Sequence, residues 1–319
     1  MSDRPVPTNP IKAHHIVSVD RLNDEELDYI LELSAYYGRL LAEKRQAPQR
    51  LIARTQINLF YEDSTRTNMS FDLAGQKLGA DVLNVPVSAS SVNKGEGLID
   101  TVQTFAAMGA DVMIVRQSEE GVLDQICERV DCAVINGGDG AREHPTQALL
   151  DAVAIRTVHD SLKGLTIAIC GDIKHSRVAG SDAALFQRLG AHVRFVGPSE
   201  LMPDSSLFPD VPRFASLKDG LDGADIVMGL RMQFERMSDP AAIKSRSDAY
   251  FAEFGLTHET LKLAKPGAWI MHPGPMNRSV EIDGSLADDP ARSLILRQVF
   301  CGVATRMACL DAIVTKGMP

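Results

Sequence analysis

The sequence predicts an α/β protein of two Rossmann-like domains, each a parallel sheet flanked by helices. Three observations carry that prediction. Short apolar runs alternate with helix-patterned segments along the whole chain, the sign of βαβ units. The length of 319 residues exceeds what one core usually supports and suits two. After Lys163-Gly164 the pattern restarts with a new strand, LTIAICG.

The elements follow in order. Asn23 with Glu26 three residues on has the form of a capping box and opens a helix over DEELDYILELSAYYGRLLAEK. QINLF (56–60) reads as a strand, NMSFDLAGQKLGA as a helix and DVLNVP as a strand. GLIDTVQTFAAMG is a helix, DVMIVR a strand, GVLDQICERV a helix and AVINGG a strand. A long helix, HPTQALLDAVAIRTVHD, carries the expected domain boundary near 145–160. In the second half LTIAICG is a strand, SDAALFQRLG a helix, and HVRFVGP, ADIVMGLR and AWIMHP are strands. The polar, poorly periodic stretch 231–257 reads as a long functional loop. PARSLILRQVFCGVATRMACLDAI closes the chain as one or two helices.

The composition narrows the function class. An apolar fraction of 45% and a charged fraction of 24% belong to an ordinary globular protein. No apolar run approaches the ~20 residues that span a bilayer. The start, MSDRPVPTNPIKAHH, lacks the apolar stretch of a signal peptide. The five cysteines form no C-x-x-C pair, so reduced thiols are expected rather than a disulfide or metal site. A cytoplasmic location is the expectation. The net charge of −9 argues against nucleic acid as the main partner. It leaves small anions open, because a few cations in one cleft can dominate the local potential.

In a parallel sheet, ligands gather at the carboxyl ends of strands. Here those ends lead into EDSTRT, SASSVNKGEG, QSEEG (with Arg116 closing the strand), DGAREHPTQ, DIKHSR, MQFER and GPMNR. Nearly every one offers an Arg, Lys, His or hydroxyl. Ser64-Thr65-Arg66-Thr67 stands where a strand hands over to a helix, and free backbone N–H groups and the positive end of the helix dipole point outward there. Hydroxyls and one guanidinium added to that end point to phosphate.

FYEDSTRTNMSF, SSVNKGE, HPTQALLD, GDIKHSR and HPGPMNR resemble, in order and spacing, the motifs of the aspartate/ornithine carbamoyltransferase family. The resemblance covers most of the chain and favours the aspartate branch. It implies transfer of the carbamoyl group of carbamoyl phosphate to the α-amine of L-aspartate, giving N-carbamoyl-L-aspartate and phosphate for de novo pyrimidine biosynthesis. By position, Ser64, Thr65, Arg66 and Thr67 match the phosphate-binding signature. Arg116 and His144 match the holders of the carbamoyl oxygen, and Gln147 a contact of its amide. Ser90 and Lys94 match a loop donated by a neighbouring subunit, which implies a homotrimer with shared active sites. Arg177 and Arg231 match the grip on the aspartate carboxylates, with Gln233 beside them, and the Pro273-Gly274 carbonyls face the reacting nitrogens. Arg66, Thr67, Lys94, Arg116 and His144 are the expected catalytic set. The implied domains are 1–150, which the helix 291–319 rejoins, for carbamoyl phosphate, and 151–290 for aspartate, with the site in the cleft between them. Closure of the domains and of 231–257 is expected to expel water. No metal or organic cofactor is implied; relatives associate with a regulatory chain or dihydroorotase.

Residue chemistry agrees. Acyl transfer builds charge on a carbonyl oxygen, and donors fixed there stabilise the transition state most. Arg116, His144 and Thr67 are suitable in kind, and His144 is expected to be neutral among cations. With no Ser-His-Asp set or carboxylate pair, alignment of two anions is the expected source of rate, and proximity can supply about 7–11 kcal/mol. The leaving phosphate is a candidate acceptor for the amine's proton. Arg231 would repel ornithine, and ornithine enzymes carry a cysteine where this chain has Pro273. Gly274, Met276 and Asn277 depart from the commoner HPLPR pattern.

Two alternatives are another carbamoyltransferase, acting on an amine such as ornithine, and a non-catalytic phosphate-binding homologue. A dehydrogenase fits poorly, because CGDIKHSR has no G-x-G-x-x-G. His14 and His15 read as solvated, His159 and His192 lack companion ligands at metal spacing, and His272 as a structural brace for Pro273. Glu62 is either a brace for Arg66 or a surface carboxylate, and Trp269 is core.

Overall fold

The computed structural model describes residues 8–85, 97–233 and 240–316. Its contacts divide the chain into two compact units, one of 1–153 with 299–319 and one of 154–298. Each is built on one parallel sheet, so the expected fold class holds.

In the first unit, α1 (Asp24–Ala42) starts at the capping box read from the sequence: Asn23 accepts from the Glu26 N–H and Glu26 accepts from the Asn23 N–H. Leu27, Ile30, Leu31, Tyr37 and Leu40 bury one face of it, at the spacing of an amphipathic helix. The strands are β1 (Thr55–Phe60), β2 (Asp81–Val85), β3 (Val112–Gln117) and β4 (Ala133–Asp139). Their order is β2-β1-β3-β4, all parallel. β3 and β4 are buried along nearly their whole length and open with the apolar runs VMIV and AVI. Helices α2 (Thr65–Leu78), α3 (Leu98–Ala107), α4 (Val122–Cys127) and α5 (Pro145–Ile155) connect or follow them. Ile57, Leu59, Val102, Met113, Val115, Leu123, Ile126 and Val134 form a core on one side of the sheet.

The second unit carries β5 (Thr166–Cys170), α6 (Arg177–Arg188), β6 (His192–Val196), β7 (Arg213–Phe214), α7 (Leu217–Leu221) and β8 (Ile226–Gly229). Then come α8 (Pro240–Phe254), α9 (His258–Leu261), β9 (Trp269–Met271) and α10 (Gly284–Ala287). The strand order is β7-β6-β5-β8-β9, again all parallel. Trp269 stands on β9, half-buried. One helix, α11 (Ile295–Val314), ends the fold, where the sequence allowed one or two.

The loop reading of 231–257 is corrected. Residues 240–254 form α8, with a proline at the first helical position, where a missing backbone N–H costs nothing. Its aromatic residues are confined to the last turns, where Tyr250 and Phe254 are buried one turn apart and stack. That is too short a stretch to show a helical period. Two helices also start earlier than expected, α2 at Thr65 and α6 at Arg177. Polar residues fill the first turn of α2, so its apolar period begins a turn late, and the first turn of α6 has only Val178 and Ala179 between Arg177 and Gly180. The helix expected over 144–160 ends at Ile155.

Candidate active site

Both sheets place chemistry-bearing residues where the strand order reverses, the point at which an open α/β sheet forms a crevice. In the first sheet that point lies between β1 and β3. Phe60, the last residue of β1, pairs with Arg116, the last residue but one of β3, and the Tyr61 N–H donates to the Arg116 carbonyl at 2.8 Å. The 61–67 turn therefore follows directly beside the Arg116 side chain.

Ser64 is the N-cap of α2, in extended backbone, and its hydroxyl makes no capping bond to the helix. The first turn of α2 thus offers backbone N–H groups, the Ser64 and Thr65 hydroxyls and the exposed Arg66 at one helix start. Such a set can bind a phosphate-like dianion. Thr67, in the same turn, is buried, with Oγ1 3.5 Å from His144 Nε2. His144, itself buried, immediately precedes α5 and caps it through its carbonyl, which accepts from the Gln147 N–H at 2.9 Å. Arg116 is held by Nη1 donation to the Gly137 carbonyl at 3.1 Å and by Glu62, whose carboxylate is 3.5 Å from Nε. Glu62 therefore lies at ion-pair distance from Arg116, a pairing the sequence did not suggest. One cation and one imidazole thus stand at neighbouring strand ends, a donor set able to polarise an acyl oxygen. Gln147 donates to Asp151, one turn along α5.

In the second sheet the reversal lies between β5 and β8. Gly171 leaves β5 at φ +127, and a Cβ there would stand 2.7 Å from the Leu230 carbonyl oxygen, so only glycine lets the two strand ends approach this closely. Beyond it Ser176 caps α6 by accepting from the Ala179 N–H, which sets Arg177 at the first helical position. Beyond β8 come Arg231 and Gln233, both half-buried. Gln233 donates to the His175 carbonyl at 2.6 Å and so ties the two strand exits together across the crevice. His175 in turn faces the buried Asp172, Nδ1 to Oδ1 at 2.8 Å.

The turn after β9 joins this group. His272 Nδ1 accepts the Gly274 N–H at 2.9 Å, which leaves the ring proton on Nε2, 3.3 Å from Glu281. His272 thus braces the Pro273-Gly274 turn, and Gly274 stands at φ +67, in the region that favours glycine. The Gly274-Pro275 bond is cis. Asn277 reaches the Met232 carbonyl at 3.4 Å and its N–H bonds to Glu281, so 231–233 and 272–278 are stitched to one another. Asp172 and Glu281 were not singled out in the sequence. Carboxylates this buried act on backbone and imidazole, and no spacing rule announces them.

Ser90 and Lys94 lie outside the described residues. His15 is not solvated: its Nδ1 accepts the Val134 N–H at 3.1 Å, and burial, with His14, Lys316 and Arg21 nearby, lowers its pKa to about 4. A cleft of about 230 Å³ in the first unit is lined by Val17, Arg21, Asp124, Asp139, Arg142 and Glu143, none of them an expected site residue. Its arginines both pair with Asp124, at 2.5 and 3.2 Å. Among the described residues no group of three or more His, Cys, Asp or Glu could hold a metal ion, and no helix is long and apolar enough to cross a membrane.

Comparison with known proteins places the chain in a family. Residues 14–157 match the carbamoyl-phosphate-binding domain of aspartate/ornithine carbamoyltransferases, and residues 163–313 match their aspartate/ornithine-binding domain. The aspartate carbamoyltransferase catalytic subunit of Granulibacter bethesdensis is 51% identical over 94% of both chains. Among solved structures, aspartate transcarbamoylase from Trypanosoma cruzi with carbamoyl phosphate and aspartate has a TM-score of 0.86 at 30% identity, covering 97% of this chain and 99% of that one. The same enzyme with N-(phosphonacetyl)-L-aspartate gives 0.85 at 31% identity, covering 96% and 98%. On two adjoining family domains and half-identity along nearly its whole length, the chain belongs to the aspartate/ornithine carbamoyltransferase family.

Proposed function

We infer that this chain transfers the carbamoyl group of carbamoyl phosphate to the α-amine of L-aspartate, giving N-carbamoyl-L-aspartate and phosphate, a step of de novo pyrimidine biosynthesis. The observation that carries the reading is the gathering of an uncapped helix start, Arg116 and His144 at the adjacent carboxyl ends of β1, β3 and β4. In this reading Ser64, Thr65, Arg66 and Thr67 hold the phosphate. Arg116 and His144 donate to the carbonyl oxygen as charge grows on it, and Gln147 meets the carbamoyl NH2. Arg177 and Arg231 take the two aspartate carboxylates, beside Gln233. The Pro273-Gly274 carbonyls accept from the reacting amine.

The chemistry needs little beyond alignment. The amine attacks the carbonyl carbon, the tetrahedral centre collapses, and the phosphate leaves with its charge neutralised by Arg66 and the helix start. The departing phosphate takes the amine's proton and leaves as the hydrogen phosphate dianion. Two arginines facing the second substrate favour a dicarboxylate over an amine-bearing side chain, which selects against ornithine. Ser90 and Lys94 we assign to the site of a neighbouring subunit in a homotrimer, on the resemblance of SSVNKGE to the loop the family shares between subunits. A cytoplasmic location fits the reduced cysteines of such an enzyme.

Binding of N-(phosphonacetyl)-L-aspartate, which joins the features of both substrates, tests the reading. Calorimetry is expected to show it binding at least about a hundredfold more tightly than L-aspartate, since linked ligands gain affinity from both halves. Equal affinity, or no binding by the folded protein, contradicts it.

A further inference from the structure

Gln147 and Asp151 lie one turn apart on α5, and the Gln147 carboxamide nitrogen donates to both Asp151 oxygens, at 3.1 and 3.0 Å. Asp151 is fully buried and has no part in the chemistry above. A carboxylate only accepts hydrogen bonds, so the pairing turns the Gln147 NH2 inward and its carbonyl oxygen to the opposite side of the amide. A cation on α11 lies within electrostatic reach of that carboxylate. Arg306, buried, interacts electrostatically with Asp151 and with Arg116, lies 5.1 Å from the Phe71 ring centre and donates to the Gly302 carbonyl at 3.4 Å. Burial draws its pKa down to about 10, which leaves it charged at neutral pH. A Cβ at residue 302 would stand 2.9 Å from Arg306 Nη1, so the glycine there makes room for the guanidinium.

We propose that Asp151, charge-balanced by Arg306, is a positioning residue that locks the Gln147 carboxamide with its oxygen toward the acyl substrate, so that the site selects an acyl phosphate bearing N–H over one bearing a methyl group. The proposal rests on the reading that Gln147 meets the carbamoyl NH2. A carbamoyl NH2 donates to the locked oxygen. A methyl group leaves that acceptor unpaired, which a buried site resists. Without the lock the carboxamide can turn over and meet the substrate NH2 donor to donor.

The probes are carbamoyl phosphate and acetyl phosphate, which differ in NH2 against CH3. With L-aspartate as second substrate, the intact wild-type protein and Asp151→Asn are compared for the KM of carbamoyl phosphate and the inhibition constant of acetyl phosphate. An asparagine can present either end to Gln147, so the lock is lost. The KM is expected to rise about tenfold while the inhibition constant moves less than about twofold. On a Gln147→Leu background the Asp151→Asn change is expected to shift the ratio no further. General loosening of the fold would raise both constants together, and that result or an unmoved ratio overturns the proposal. If Asp151→Asn does not fold, Arg306→Gln is read in the same assay, with the same expected fall in selectivity and the same overturning result. Absence of wild-type turnover overturns the parent reading, whereas wild-type turnover with an unmoved ratio overturns this proposal alone.

Discussion

Arg116 shows what a single side chain must satisfy here. Its guanidinium bonds the Gly137 carbonyl and faces Glu62, which aims the remaining donors of the planar fork. A lysine keeps the charge but has no fork and cannot serve these partners and a substrate oxygen together. Arg116→Lys is expected to lower kcat/KM roughly 10²–10³-fold, the usual loss when one oxyanion donor goes, with little change in melting temperature. A kcat/KM within about threefold of wild type would remove Arg116 from the assigned role. At this scale the sequence exposes the donors and hides their supports. Arg116 and His144 stand out because polar residues at strand ends need a reason. Asp151 sat within the quoted HPTQALLD, four residues from Gln147 and thus on the same helix face, a spacing that could have found it. Arg306 had only a weaker signal, a lone charge among apolar neighbours. Glu281 gave none, because its partners, His272 and the Asn277 N–H, are set by the tertiary fold.

Among the elements, α1 was the most legible, since its start signal is written locally. Glu26 does more than close the capping box. Its carboxylate also accepts the Lys12 and Ala13 N–H groups, at 2.7 and 2.9 Å, and so pins the N-terminal segment to the helix. Burial pushes its pKa up, but the Asn23, Ala13 and Lys12 N–H bonds together bring it below the ordinary 4.5. A carboxylate depressed in the folded state stabilises the fold above its unfolded pKa, and that stability is lost as pH falls through the folded value. Glu26→Gln is therefore expected to cost about 1.5–3 kcal/mol at pH 7, and the gap to narrow as pH drops below the ordinary 4.5. Urea unfolding of both proteins across that range checks it; a gap independent of pH would contradict the assigned role. The elements misread, α8 and the first turns of α2 and α6, share one cause. None of these stretches carries an apolar period sustained long enough to register as a helix.

For the molecule as a whole, the alternation of strands and helices and the restart at Lys163-Gly164 sufficed for two parallel sheets. The strand orders were not legible, since apolar runs do not say which neighbour each strand takes. They matter because they put the 61–67 turn beside Arg116 in one sheet and Gln233 beside the 172–177 turn in the other. The proposed sharing of Lys94 between subunits belongs to this scale. Arg66→Ala and Lys94→Ala proteins, each inactive alone, are expected to regain activity when mixed and allowed to exchange subunits, because some mixed sites then carry neither change. No recovery under demonstrated exchange would end the shared-site proposal. The most direct test of the central claim is ureido-product formation from carbamoyl phosphate, with L-aspartate and L-ornithine assayed in parallel. Turnover with aspartate and none with ornithine is the predicted result; turnover with ornithine, or with neither amine in a folded sample, would contradict it.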